Sequence, residues 1–135
     1  MKTINSYFVA NRKTEDLTTL GDIDDAINSD KKKPITLFRT ENVIERTAGL
    51  LTLLPLDKGQ GLLINKCNSI HTVGMRYALD VVYLNRQLNV VKLVKNIKPA
   101  RMSFSLRAKH TLELLAGEIN RIGIKEGMTL VCDEK

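Results

Sequence analysis

The chain has 135 residues, of which 43% are hydrophobic and 27% charged, a composition typical of a folded domain rather than of a disordered segment. No run approaches the ~20 apolar residues that cross a bilayer, so no membrane span is expected. The N-terminus lacks the apolar core of an export signal, and two cysteines without CxxC spacing predict neither a disulfide framework nor a redox motif. We therefore expect a cytoplasmic protein.

The net charge of +6 arises after residue 33, because acidic and basic residues cancel over residues 1–33. No acid occurs between Asp80 and Glu113. The basic residues of this acid-free stretch are Arg86, Lys92, Lys95, Lys98, Arg101, Arg107 and Lys109. Such a block favours an anionic partner, which could be a small anion, an acidic protein surface or a nucleic acid. The simpler explanation, which we favour for the charge itself, is a solvated strand face that keeps the protein soluble.

Residues 1–33 are predicted to form a polar, mobile N-terminal extension that precedes a single mainly β domain over residues 34–135. Polar residues dominate this segment, and a run of three lysines before Pro34 closes it. An amphipathic helix is then predicted over about 41–52. Thr40 is a suitable N-cap, and Glu41 in the first turn suits the helix dipole.

Short β-rich runs separated by turn residues predict the strands. These runs are Pro34–Phe38, Leu62–Ile64, Leu79–Leu84, Leu88–Lys95, His110–Leu114 and Met128–Cys132. A single helical turn is expected at Glu118–Ile122. The elements do not alternate as βαβ units would, so we expect an α+β, mainly β fold. It would be a compact antiparallel sheet or a partly closed small barrel with the one amphipathic helix.

Three segments resemble the bacterial and archaeal family called domain of unknown function 192. They are GLLINKCNSIHTVGMRYALDVVYLN, NVVKLVKNIKPAR and LELLAGEINRIGIKEGMTL, preceded by a helix with Arg46 and Gly49-Leu50. The resemblance covers roughly residues 34–132 and implies a compact, mainly β domain, with no activity assigned. Ala78 and Leu115 stand where the family usually has prolines, and Met128 replaces an aspartate that could cap a turn.

Structural roles are expected for Gly49, Gly117 and Gly127, and for Asp80. A carboxylate flanked by Leu79 and Val81 must be paired or lie at the surface. Backbone amides or Arg76 are its expected partners.

Cys67 and His71 could form a nucleophilic pair only if the thiol met the imidazole. Their spacing separates them by ~13 Å in an extended chain, so no catalytic residue is assigned. His110 and Cys132 add further nitrogen and sulfur donors without finger-like spacing, and neither a metal nor a cofactor is expected. A hydrolase or metal-dependent enzyme using Cys67 and His71 stays open as an alternative.

His71 and Arg76 are the predicted binding residues, because an imidazole and a guanidinium can donate hydrogen bonds to a carboxylate or phosphate. Lys98 and Arg101 would complete an anion-attracting rim. We therefore expect a non-catalytic binding or adaptor module. The main alternative is a small barrel that binds nucleic acid nonspecifically. In a purely structural interpretation, His71 is a hydrogen-bonded histidine and Arg76 pairs with Asp80.

Overall fold

The structure is a computed structural model that describes residues 2–10, 33–39, 56–73 and 75–133. These residues form strands and a single short helix. In chain order they are β1 (Lys2–Val9), β2 (Ile35–Arg39), β3 (Gln60–Ile64), β4 (Ser69–His71), β5 (Leu79–Leu84), β6 (Val90–Ile97), β7 (Met102–Phe104), β8 (His110–Leu115), α1 (Glu118–Ile122) and β9 (Thr129–Asp133).

Seven strands form one sheet in the order β6-β5-β8-β3-β2-β1-β9, and β4 pairs with β7 in a separate two-stranded sheet. The fold is therefore mainly β, as expected. Neighbouring strands are antiparallel except β2 and β3, which are parallel. Parallel neighbours need a crossover of a dozen residues or more, and residues 40–59 between β2 and β3 supply that length. The sheet is therefore mixed, whereas an antiparallel one was expected.

The predicted barrel is not confirmed, because the large sheet is open, with β6 at one edge and β9 at the other. The two edges meet at one end only. There Asn89 bridges Thr129, and the amides of Val90 and Leu130 donate to the carbonyls of Met128 and Leu88. Beyond this contact β9 pairs with β1, and β6 pairs with β5.

The prediction of an N-terminal extension is wrong for residues 2–9, because β1 is an interior strand paired with both β2 and β9. Ile4 and Phe8 are buried in the core, and the hydroxyl of Ser6 between them donates to the carbonyl of Ile35 at 3.0 Å. A polar residue on the buried face interrupts the apolar alternation that identifies a strand in the sequence. Residues 11–32 lie outside the described part of the chain.

The strands predicted from residue 34 onward are confirmed to within about two residues at each end. The helical turn at Glu118–Ile122 is confirmed as α1. Strands β4 and β7 were not predicted. The helix expected at about 41–52, with Gly49, lies outside the described residues.

Apolar side chains are buried on both faces of the large sheet, and β5 shows the division. Val82 and Leu84 belong to the main hydrophobic core on the inner face, which also contains Phe8 and Leu130. Leu79, Val81 and Tyr83 point to the outer face, where they belong to two smaller apolar clusters. Because side chains alternate along a strand, one apolar run serves both faces. The candidate site is built on the outer face.

Candidate functional site: a basic groove beside the two-stranded sheet

The two-stranded sheet lies over the outer face of the large sheet. Its inward residues are Ile70, which is buried beside Val81 and Tyr83, and Ser103, whose hydroxyl oxygen accepts a hydrogen bond from the Tyr83 hydroxyl at 2.9 Å. Side chains alternate along a strand, so their neighbours point the other way. These outward residues, Ser69, His71, Met102 and Phe104, are all exposed.

Thr72 joins the two loops that follow β4 and β6. Its side chain is fully buried, and its hydroxyl donates to the carbonyl of Lys98 at 2.7 Å and accepts the amide of Arg101 at 2.8 Å. Its backbone amide donates to the Arg101 carbonyl at 2.8 Å, and its backbone carbonyl accepts the Ala100 amide at 3.0 Å. Four hydrogen bonds to one buried residue hold residues 98–101 in one conformation.

An open groove of about 590 Å³ runs beside these loops. Its walls come from residues 92–98 of β6 and its loop and from residues 101–103. The cationic side chains that line it are Lys92, Lys95, Lys98 and Arg101. All four are exposed to solvent. Positive side chains that converge on one concave surface raise the local potential and attract anions.

Lys92 makes the most contacts of these four cations with the described residues. Its ammonium donates to the carbonyl of Phe104 at 2.9 Å. It lies 5.8 Å from the ring centroid of Tyr83 and 5.9 Å from that of Phe104, within range for cation–π attraction. Next to the groove, the guanidinium of Arg107 donates to the Val91 carbonyl at 2.8 Å.

The two acids that bound the acid-free stretch do not offset this charge at the surface. Asp80 is 1% exposed, and its carboxylate accepts the backbone amides of Asn96, Gly117 and Ile119 at 2.8, 3.0 and 2.9 Å. Glu113 is 2% exposed, and burial raises its pKa to about 8, so that it is mostly neutral at pH 7. The groove is therefore uniformly positive along this stretch.

Lys98 and Arg101, the residues of the predicted rim, line the groove and belong to the loop held by Thr72. His71 lies in β4 opposite Met102, exposed, one residue before Thr72. Arg76 is exposed beyond a turn in which the Met75 amide donates to the Thr72 carbonyl at 3.1 Å. Neither His71 nor Arg76 lines the groove.

Asp80 caps the N-terminus of α1 from a neighbouring element, because Gly117 at the N-cap has no side chain that could do so. The alternative in which Arg76 pairs with Asp80 is not what the structure shows, since the hydrogen bonds to this carboxylate come from three backbone amides. Gly117 has φ 97°, a left-handed conformation that favours glycine. Gly127 has φ 88°, and its amide donates to the Val90 carbonyl at 2.9 Å.

Cys67 and His71 do not form a nucleophilic pair. The Cys67 thiol donates to the carbonyl of Ser69 at 2.9 Å, whereas His71 lies on the exposed face of β4. Within residues 2–10, 33–39, 56–73 and 75–133, no three His, Cys, Asp or Glu side chains gather in a way that could hold a metal ion.

Sequence reasoning did not single out Thr72 and Glu113. Thr72 stands in the Ser-Ile-His-Thr block of the resemblance, but a threonine hydroxyl gives no sign of its partners in the sequence. Glu113 has a clearer sign, because an acid between Leu112 and Leu114 in a predicted strand is unusual. Such a buried carboxyl group is either structural or functional.

Residues 26–132 match the family model DUF192, described as an uncharacterized ACR. The chain belongs to the DUF192 family. The resemblance found in the sequence motifs is thus confirmed. No curated protein matches the chain significantly.

Two solved structures share the fold of this DUF192 protein. One is a putative transcription regulator from Sinorhizobium meliloti, with TM-score 0.76 and 15% identity, covering 97% of this chain and 94% of that one. The other is a protein of unknown function from Novosphingobium aromaticivorans, with TM-score 0.60 and 19% identity, covering 73% of this chain and 76% of that one. At these identities the likeness shows the fold alone. Within the described residues, no helix has the length and apolar character to span a bilayer.

Proposed function

We propose that this DUF192 protein is a non-catalytic binding module that captures anionic groups in the basic groove. The observation that carries this proposal is the set of hydrogen bonds made by Thr72. They fix the backbone from Lys98 to Arg101 beside β6. A site whose cations stand on an ordered backbone loses less entropy on binding than one built on a free loop.

The chemistry of the groove suits phosphate or carboxylate groups. Arg101 offers a planar fork of donors that matches either group bidentately, and Lys98 and Lys95 offer point charges. No acid on the surrounding stretch competes for them. Because the cations are exposed, we expect binding of single small anions to be weak and to decrease with ionic strength.

The test is a titration of the ¹⁵N-labelled chain with inorganic phosphate, followed by amide NMR shifts. We expect saturable shifts confined to residues 92–103. The double variant Lys98→Ala/Arg101→Ala should weaken binding by about ten-fold. Arg86→Ala removes an equally exposed charge at the β5–β6 hairpin and serves as the control. Absence of shifts in the unmodified protein, or equal weakening by Arg86→Ala, would overturn the proposal.

Thr72→Val separates positioning from charge. This variant keeps every cation but removes the hydroxyl that both donates to Lys98 and accepts from Arg101. We expect weaker phosphate binding together with faster amide exchange at residues 100 and 101. Unchanged binding with loosened amides would show that loop order contributes nothing to the site.

Nucleic acid is the second candidate, and one observation favours it. Phe104 is 61% exposed and lies beside the Lys92 ammonium, so that a base could stack on its ring next to a phosphate-binding cation. Binding of single-stranded DNA should then weaken steeply with salt and decrease in Phe104→Leu. Undetectable binding at low salt rejects this candidate.

A further inference from the structure

Four large apolar side chains are exposed around the two-stranded sheet. They are Val73 at 57%, Met102 at 82%, Phe104 at 61% and Leu106 at 85% exposure, and together they form what we call the apolar patch. No other large hydrophobic side chain is exposed in the described part of the chain. Scattered apolar residues are normal on a surface, but the gathering of all of them around β4 and β7 points to an interaction site.

The local backbone explains how the patch is built. Met102 and Phe104 alternate with the inward Ser103, so both point outward from β7. Leu106 follows in the turn closed by the hydrogen bond from the Ala108 amide to the Ser105 carbonyl. Val73 follows β4, which is paired with β7. These side chains project from the surface.

The apolar patch is continuous with the basic groove, since Met102 belongs to both. Lys92, Lys98 and Arg101 lie beside the patch. Arg107 follows Leu106 directly in the chain. A partner that covers this surface must therefore present apolar groups to the patch and negatively charged groups to the cations around it.

We propose that this surface docks on a bilayer containing anionic phospholipids, with the apolar patch entering the acyl boundary and the groove cations meeting the headgroup phosphates. This inference rests on the proposed anion site for the contacts with the headgroup phosphates. It adds the contacts of the apolar patch with the acyl chains. Projecting side chains enter a deformable bilayer without needing a matching pocket. Each nearby cation adds attraction to an anionic leaflet.

The same features disfavour the other occupants. A second copy of the chain would bring the two sets of cations face to face in a two-fold contact. A single-stranded nucleic acid gains stacking only from Phe104, because methionine, leucine and valine side chains offer no aromatic face. An acidic protein would have to present a pocket for each projecting side chain.

The test measures partitioning of the full chain onto vesicles of phosphatidylcholine alone and of phosphatidylcholine with about 30% phosphatidylglycerol. We expect binding only to the second vesicle, decreasing at high salt. Val73→Ser/Leu106→Ser keeps all charges, changes two patch residues that do not line the groove, and should lower the partition coefficient by about ten-fold or more. Lys98→Ala/Arg101→Ala should lower it by about ten-fold, and Arg86→Ala by much less.

The two apolar substitutions also separate this inference from the proposed function. Because Val73 and Leu106 do not line the groove, Val73→Ser/Leu106→Ser should leave the phosphate-induced NMR shifts at residues 92–103 unchanged. Phosphate shifts without vesicle binding overturn the bilayer inference and leave the anion site standing. Vesicle binding that is insensitive to Val73→Ser/Leu106→Ser also overturns it. Single-stranded DNA or poly-glutamate binding that depends on Val73 and Leu106, with no vesicle binding, assigns the surface to that partner instead.

Discussion

Two buried carboxyl groups, Asp80 in β5 and Glu113 in the paired strand β8, have different environments on the two faces of the sheet. Asp80 in β5 shares the inner-face alternation with Val82 and is held by three backbone amides. Glu113 in β8 pairs with Val81 and Leu62. Burial alone accounts for its raised pKa, with no hydrogen bond or cation of the described residues lowering it. A buried acid is therefore stabilising where amides converge on it and costly where they do not.

This difference also explains why the stretch between the two acids exposes basic side chains while both bounding acids are buried. One bounding acid, Asp80, accepts hydrogen bonds from the protein's own backbone amides. The other, Glu113, carries a proton at pH 7 because burial raises its pKa to about 8. On the outer face, the Tyr83 hydroxyl donates to Ser103, and the Thr111 hydroxyl donates to the Cys67 carbonyl at 2.6 Å. These polar groups find their hydrogen-bond partners within the protein. The charged side chains that line the groove on that side are all cationic, and the exposed large hydrophobic side chains form the apolar patch.

The largest expected effect comes from removing the Asp80 carboxylate. Asp80→Ala leaves three backbone amides without their acceptor, including two at the start of α1. We expect the free energy of unfolding to decrease by about 3–5 kcal/mol, measured by urea denaturation. Asp133→Ala, at an exposed aspartate, is the control and should change stability by less than about 0.5 kcal/mol. A loss of about 1 kcal/mol or less at Asp80 would contradict the capping role.

Glu113→Gln should stabilise the protein at neutral and alkaline pH. In the unfolded chain this carboxyl group loses its proton near pH 4.5, whereas in the folded chain it keeps the proton up to about pH 8. The unfolded state therefore binds fewer protons between these values, and stability falls as pH rises through that window. The gain from Glu113→Gln should be about 1–3 kcal/mol larger at pH 8 than at pH 4.

Urea denaturation at the two pH values measures this difference. Glu126→Gln, at an exposed glutamate, supplies the matched control and should shift stability little at either pH. If the two glutamine variants showed the same pH dependence, Glu113 would be ionised in the folded protein at neutral pH. The distinction between the two buried acids would then be lost.

The smallest expected effect is at the contact that holds the two-stranded sheet to the large one. Tyr83→Phe removes a buried hydroxyl and leaves the half-buried Ser103 able to turn to water, so a loss of about 0.5–1 kcal/mol is expected. Ser103→Ala leaves the Tyr83 hydroxyl buried and should cost more. The order of the two variants in urea denaturation checks this, and the reverse order would place the unsatisfied group at Ser103.

Much of the fold from residue 34 onward could be predicted because its strands are dense apolar runs between turn residues. Leu79–Leu84 and His110–Leu115 carry enough β-branched and leucine residues to indicate strands whatever their neighbours. In β1 the buried Ser6 hides the pattern, and only its hydrogen bond to Ile35 shows why it is tolerated there. Strands β4 and β7 are three residues long, too short to give a period.

The sequence by itself determined the mainly β class, the family and the uninterrupted positive charge from residue 81 to residue 112. Only the tertiary structure decided which cations share a groove and which acidic side chains are buried. Thr72 meets Lys98 and Arg101 across 26 and 29 residues, and Asp80 meets the amide of Ile119 across 39. Hydrogen bonds over such distances depend on strand order and register, which local periodicity does not specify.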